Sequence, residues 1–314
     1  MTTGQENQYH MAKNAIKFAF FGTPELATVF LDDLEKNGYV PSLVVTTPDK
    51  PQGRGMTMQS PPVKKWADER NIPVLQPEKL DDAFLYELRT TDYELFIVIY
   101  YGKILPKAVF DMPKRGTINV HFSLLPRWKG TSPIRACILN DDKKAGTTLL
   151  LMDEKVDHGP VIAQKEFHID EWPASTRDGS STRGWPPSAR RLETQATHES
   201  ARLLSEFIEP WVAKKIAAHE QNHDLETLCP KLEKADGQID LSADAYQNLL
   251  KIRAFDSTIG THTFFERGGK KIRVAIIEAH IENKKLVLDT VKPEGKKEMP
   301  YEEFLRSGVR PCGI

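Results

Sequence analysis

Lys17-Phe18-Ala19-Phe20-Phe21-Gly22-Thr23-Pro24-Glu25-Leu26-Ala27 is the stretch on which the fold turns. Its first five residues form a short apolar run of the kind buried on both faces of a parallel sheet. A helix follows at once. Thr23 is placed to cap it, Pro24 suits its first turn, Leu26, Val29, Phe30 and Leu34 recur with a 3.6 period, and Gly38 can close it. Strand signals recur at 43–46, 74–75, 95–100, 117–120, 147–152 and 161–167, with helical stretches at 63–70 and 81–89. Strands alternating with helices predict βαβ units and a Rossmann-like α/β fold with an open parallel sheet. Such sheets bind ligands beyond the carboxyl ends of their strands.

At 314 residues the chain is long enough for two domains. The first is expected over 16–208, behind a floppy leader at 1–15 that has neither the apolar core of a signal peptide nor the arginines of a transit peptide. Within it, 174–191 is an irregular insertion rich in Ser, Thr, Gly, Pro and Arg, with Trp185 its one large apolar residue, too polar to pack a core. It reads either as a frame-shifted stretch or as a disordered insertion. A polar linker is expected at 209–227. The second domain, 228–314, has turn signals at Asp236-Gly237, Gly268-Gly269 and Pro293-Glu294-Gly295 between short strands, with a helix at 246–255 ahead of them. A small OB-like β-barrel is the expected form.

Charge and cysteine content narrow the function. A net charge of −1 leaves no global field for a polyanion, so any nucleic-acid contact must be local. Cys137, Cys229 and Cys312 are widely spaced and odd in number, which fits a reducing compartment and excludes a disulfide framework or zinc knuckle. No apolar run approaches a membrane span. A cytoplasmic protein is expected.

The densest chemistry lies at Asn119-Val120-His121-Phe122-Ser123-Leu124-Leu125-Pro126-Arg127-Trp128-Lys129-Gly130. Period-2 alternation puts Asn119 and His121 on one side of a strand end. Asn can donate to a developing oxyanion, and His can shuttle a proton near neutral pH. An isolated N-x-H would read first as a structural pair, a hydrogen-bonded Asn and a satisfied core His. A loop at Asp153-Glu154-Lys155-Val156-Asp157-His158-Gly159-Pro160 follows, with Asp157 placed 36 residues after His121.

The N-x-H-x-S-L-L-P-R-x-[KR]-G run followed at this distance by D-x-G-P resembles the 10-formyltetrahydrofolate-dependent formyltransferase family. That resemblance implies that Asn119, His121 and Asp157 form the catalytic set and that Ser123, Leu124, Leu125 and Pro126 lie at the folate site. It also implies 10-formyltetrahydrofolate as co-substrate and no metal. His158 is expected to be loop surface. Phe20 to Ala27 and the segment Thr47-Pro48-Asp49-Lys50-Pro51-Gln52-Gly53-Arg54-Gly55 are similar to the family branch whose acceptor is charged initiator tRNA. Arg54 on that loop is the candidate tRNA contact, with an exposed turn as the other reading. Met56 stands where the branch has a basic residue.

The second domain also resembles that branch, at 234–240, at Ile252-Arg253-Ala254-Phe255 and at 293–304. Leu241 stands where a Trp is usual, and Asp256-Ser257-Thr258-Ile259-Gly260-Thr261-His262 replaces an aromatic and proline-rich stretch. The resemblance implies a monomer that moves a formyl group from the folate to the α-amino group of methionine on initiator tRNA. Two other readings remain: a sugar-nucleotide N-formyltransferase, and a non-catalytic folate or RNA-binding relative.

Overall fold

The structure, a computed structural model, describes residues 16–52, 55–168, 187–229 and 231–312. The leader at 1–15, Arg54 and most of the irregular insertion lie outside the described residues.

Along the chain run β1 (Phe18–Phe21), α1 (Glu25–Lys36), β2 (Leu43–Val45), α2 (Pro62–Asp68), β3 (Val74–Leu75), α3 (Asp82–Leu88) and β4 (Leu95–Val98). Then come α4 (Lys107–Phe110), β5 (Thr117–His121), α5 (Pro133–Leu139), β6 (Lys144–Leu151), β7 (Val161–His168) and α6 (Ala189–Val212). The last part holds α7 (Ala245–Phe255), β8 (Thr261–Arg267), β9 (Lys270–Glu282), β10 (Lys285–Pro293), β11 (Met299–Pro300), α8 (Tyr301–Leu305) and β12 (Arg310–Pro311). A short antiparallel hairpin, Lys50–Gln52 with Thr57–Gln59, flanks the position of Arg54.

Two compact units emerge, each assembled from separated stretches: 1–129, 146–166 and 194–227 in one, and 130–145, 167–193 and 228–314 in the other. The larger unit is built on a seven-stranded sheet in the order β7-β6-β5-β4-β1-β2-β3. Pairing is parallel from β3 to β5, and β6 joins β5 antiparallel. Chain direction across the sheet reverses between β1 and β4, the point where open α/β sheets leave a crevice. All residues of β1 and β4 are buried, as a continuous apolar run requires of a central parallel strand. Phe21, Phe96, Val98, Tyr101 and Phe110 share one core cluster with Leu85 and Leu88 of α3.

Thr23 does not cap α1. The N-cap is Pro24, with no side-chain hydrogen bond, and Thr23 Oγ1 instead donates to the carbonyl of Tyr101 at 3.3 Å. Adjacent β1 and β4 bring that carbonyl within reach, so the hydroxyl satisfies a neighbouring strand end. Gly38 closes the helix as expected, with φ at 85° and its amide donating to Glu35 O.

Residues 189–191, expected in the irregular insertion, are helical. Ala189 and Leu192 are fully buried, Ser188 Oγ accepts from the Arg191 amide, and Asp256 Oδ1 accepts from the Arg190 amide, so the first turn is both packed and capped. The same helix runs through the expected boundary at 208, and 217–227 belongs to the larger unit.

The smaller unit carries a five-stranded antiparallel sheet in the order β11-β10-β9-β8-β12. The 13-residue β9 changes register against β10 between Ile276 and Ala279, a bulge that lets so long a strand bend. Phe265, Val274, Ile276 and Val291 form its core with Ile252 of α7, and Leu241 packs against the same cluster. The altered stretch 256–262 has a local use. Arg135 of α5, buried and ion-paired with Glu193 at 2.6 Å, also donates to Ser257 Oγ and Thr258 Oγ1.

Candidate active site

Strand β5 ends at the candidate site. Val98 of β4 and Leu150 of β6 pair with Asn119 on its two sides, while His121, beyond the end of β4, pairs with Thr148 of β6 alone. Asn119 Nδ2 donates to Asp157 Oδ1 at 3.1 Å, and His121 Nδ1 lies 3.5 Å from Asp157 Oδ2. His121 Nε2 is 2.9 Å from the carbonyl of Trp128. A carbonyl only accepts, so Nε2 is the donor in that contact, while Nδ1 faces the Asp157 carboxylate. The structure therefore brings together all three residues of the expected catalytic set, from two segments of chain.

Asp157 sits on the connection between β6 and β7 with φ at 50°, a left-handed conformation that Asp tolerates better than most residues. Two residues on, a Cβ at Gly159 would lie 2.0 Å from the Leu151 carbonyl oxygen, so only glycine allows the turn to close this tightly. Leu151 N donates to Pro160 O at 2.9 Å across its base.

The segment expected to be a linker holds this region in place. Gln221 Nε2 donates to the carbonyls of Asp157 and Gly159 at 3.0 and 2.8 Å. Thr227 accepts from the amides of Trp128 and Lys129, and its own amide donates to Pro126 O. Lys129, whose side chain is only 4% exposed, donates to Glu226 at 2.8 Å and to His223 Nδ1 at 3.1 Å. That ion pair holds the Glu226 carboxyl below the usual carboxylate range. His158 is not simple loop surface: its ring stacks on His223 at 4.0 Å between centroids, and its Nδ1 lies 2.6 Å from Asp153 Oδ2.

A cleft of about 420 Å³ opens beside these groups, a volume in the range of small-molecule sites. Apolar walls come from Val98, Leu105, Phe110 and Leu150, and Asn119 and Asp157 supply polar atoms. Ile104 and Val156 stand exposed among its lining residues. Tyr101 also lines it, and its buried hydroxyl finds no partner among the described residues; burial pushes that phenol up to about 12. His121 is 5% exposed and is enclosed.

Ser123, Leu124, Leu125 and Pro126 do not line this cleft. Their polar groups turn inward: Ser123 Oγ donates to Arg127 O, Thr148 Oγ1 bridges Leu125 N and Ser123 O, and Gln164 donates to Leu125 O. Arg54 lies outside the described residues; beside it Met56 is exposed with φ at 48°. Among the described residues no His, Cys, Asp and Glu cluster could hold a metal ion, and no helix is long and apolar enough to cross a membrane.

An amide, an imidazole and a carboxylate gathered at the carboxyl end of β5 in an open α/β sheet can together move a proton and donate to an oxyanion, the equipment of an enzyme. The family model described as Formyl transferase matches residues 16–183. A methionyl-tRNA formyltransferase from Thermodesulfovibrio yellowstonii is 34% identical over 304 residues, covering 91% of this chain and 94% of its own. The chain belongs to the formyl transferase family, alongside relatives that carry the name methionyl-tRNA formyltransferase. Its fold is shared with the solved methionyl-tRNA formyltransferase of Clostridium thermocellum, at 14% identity and a TM-score of 0.56 over 89% of this chain and 99% of the other. It is also shared with WlaRD, a sugar 3N-formyl transferase solved in the presence of dTDP and 5-N-formyl-THF, at 18% identity and a TM-score of 0.57 over 90% and 99%.

Proposed function

We propose that the protein transfers the formyl group of 10-formyltetrahydrofolate to the α-amino group of methionine carried on initiator tRNA. The observation that carries this reading is the convergence of Asn119, His121 and Asp157 beside an apolar cleft of the right size for a flat folate head. Ser123 to Pro126 then support the site from behind, through the backbone that leads from His121 to Trp128.

The chemistry follows from the atoms. The amine nitrogen bonds to the formyl carbon, the oxygen becomes an oxyanion, and the bond from carbon to the folate nitrogen breaks. One proton leaves the amine and returns to that departing nitrogen, so none is consumed. Asn119 uses one amide hydrogen on Asp157 and offers the other to the oxyanion. Asp157 faces the cleft and His121 stands enclosed beside it, so the pair holds the proton as a unit, with the imidazolium stabilised by the carboxylate. Arg54, which follows Gln52 and precedes Thr57 in the sequence, is the proposed contact with tRNA. A cytoplasmic monomer suits this reading.

The test is formyl transfer to charged initiator tRNA, with elongator Met-tRNA and an amino-sugar nucleotide as competing acceptors. Transfer to the amino sugar alone would replace the reading with a sugar N-formyltransferase. Arg54→Ala is expected to slow transfer to tRNA more than hydrolysis of the folate donor.

A further inference from the structure

Gln221 is 8% exposed and lies in a stretch whose composition marks it as a spacer. Its side-chain amide nitrogen has two hydrogens, and both are used, one on Asp157 O and one on Gly159 O. These carbonyls flank His158 at the tip of the turn, while Leu151 N to Pro160 O fixes its base. The turn needs such help. Asp157 is held in the left-handed region, a conformation that is unfavourable for a residue with a side chain. Left to relax, its backbone would carry the carboxylate away from Asn119 and His121.

A packing role alone does not account for this residue. Gln221 Oε1 is buried and has no partner among the described residues, so burying this amide carries a desolvation cost that an apolar side chain of equal length would avoid. What an apolar side chain could not do is donate twice.

We propose that Gln221 is a positioning residue for formyl transfer, fixing the backbone turn that aims the Asp157 carboxylate at Asn119 and His121; this rests on the function argued above. It touches neither substrate and acts through Asp157.

The test compares Gln221→Met, which keeps length and loses both donors, with wild type and with the same change in an Asp157→Ala background. In the wild-type background turnover is expected to fall about 10- to 10²-fold, the scale of a small misplacement of a reacting group. KM for folate donor and for tRNA should stay within about threefold. In the Asp157→Ala background the same substitution should change turnover by less than about threefold, because the group it positions is gone. Equal losses in both backgrounds, or a lowered melting temperature with unchanged turnover, overturn the proposal. If Gln221→Met does not fold, Gln221→Glu supplies the same comparison, since its carboxylate cannot donate to two carbonyls. Wild-type protein that formylates no Met-tRNA defeats the function itself, an outcome distinct from wild-type activity that survives loss of Gln221.

Discussion

Asn119 and Asp157, on separate segments of the chain, share a hydrogen bond of 3.1 Å that ties the amide to the carboxylate beside the His121 imidazole. Removing either side chain deletes this bond. Asp157→Ala, Asn119→Ala and His121→Ala are each expected to cut turnover by about 10² or more, the scale seen when an oxyanion donor is lost. The double variant Asn119→Ala/Asp157→Ala should lose much less than the product of the two single losses, because the residues act as a unit. Single-turnover rates on folded proteins check this; near-normal turnover in Asp157→Ala would remove the residue from the mechanism.

Gly159→Ala places a methyl group 2.0 Å from the Leu151 carbonyl, a backbone atom that cannot rotate away. The turn must open to accommodate it. A destabilisation of about 1–3 kcal/mol is expected, together with loss of activity, since Asp157 rides on the same turn. Thermal unfolding and turnover measured on one preparation test both.

Tyr101→Phe deletes a buried hydroxyl with no partner among the described residues and keeps the ring that meets Phe21 edge-on at 5.4 Å. Stability near neutral pH should stay level or rise, because an unsatisfied polar group is lost and the packing is kept. In alkali the sign is also fixed. The folded phenol titrates at about 12 and the unfolded one near 10, so the unfolded state releases its proton first and stability falls as pH rises through that window. Tyr101→Phe should flatten the fall, as urea titrations at several pH values would reveal.

Glu226 is held ionised by Lys129, so its folded pKa lies below the unfolded value. The stabilisation is present above that unfolded value and fades as pH drops through the folded one. Glu226→Gln should lower the melting temperature at neutral pH and converge on wild type in acid. A constant difference across the whole acid range would show that the ion pair is not the cause.

How much of this could be read from residue order depends on the range of each signal. The β1–α1 start is legible because a continuous apolar run and a helical period involve close neighbours, and the shared strand face of Asn119 and His121 follows from equally local alternation. Thr23 misleads because a hydroxyl at a strand end has two uses, and only the pairing of β1 with β4 shows that Tyr101 O takes it. Residues 189–191 look irregular because their arginines and the preceding Ser and Pro mask a turn packed through Ala189 and Leu192. Asp157 needed a whole motif and its spacing to stand out. Gln221 gives no signal at all: its partners are backbone carbonyls, which any residue can supply, and 64 residues separate it from Asp157.

The bonds from Gln221 and Thr227 also set an order of events during synthesis. Chains emerge from the ribosome N-terminus first, at about 5–20 residues per second. The strand bearing Asn119 and His121 and the turn bearing Asp157 are therefore made well before the residues that brace them. A fragment ending at 208 would hold every expected catalytic side chain and none of these braces. On the proposed assignment, the turn bearing Asp157 gains its brace only once Gln221 has been made, and the segment 126–129 gains its own only with Thr227, so a chain stalled earlier holds the proposed reacting groups without these bonds.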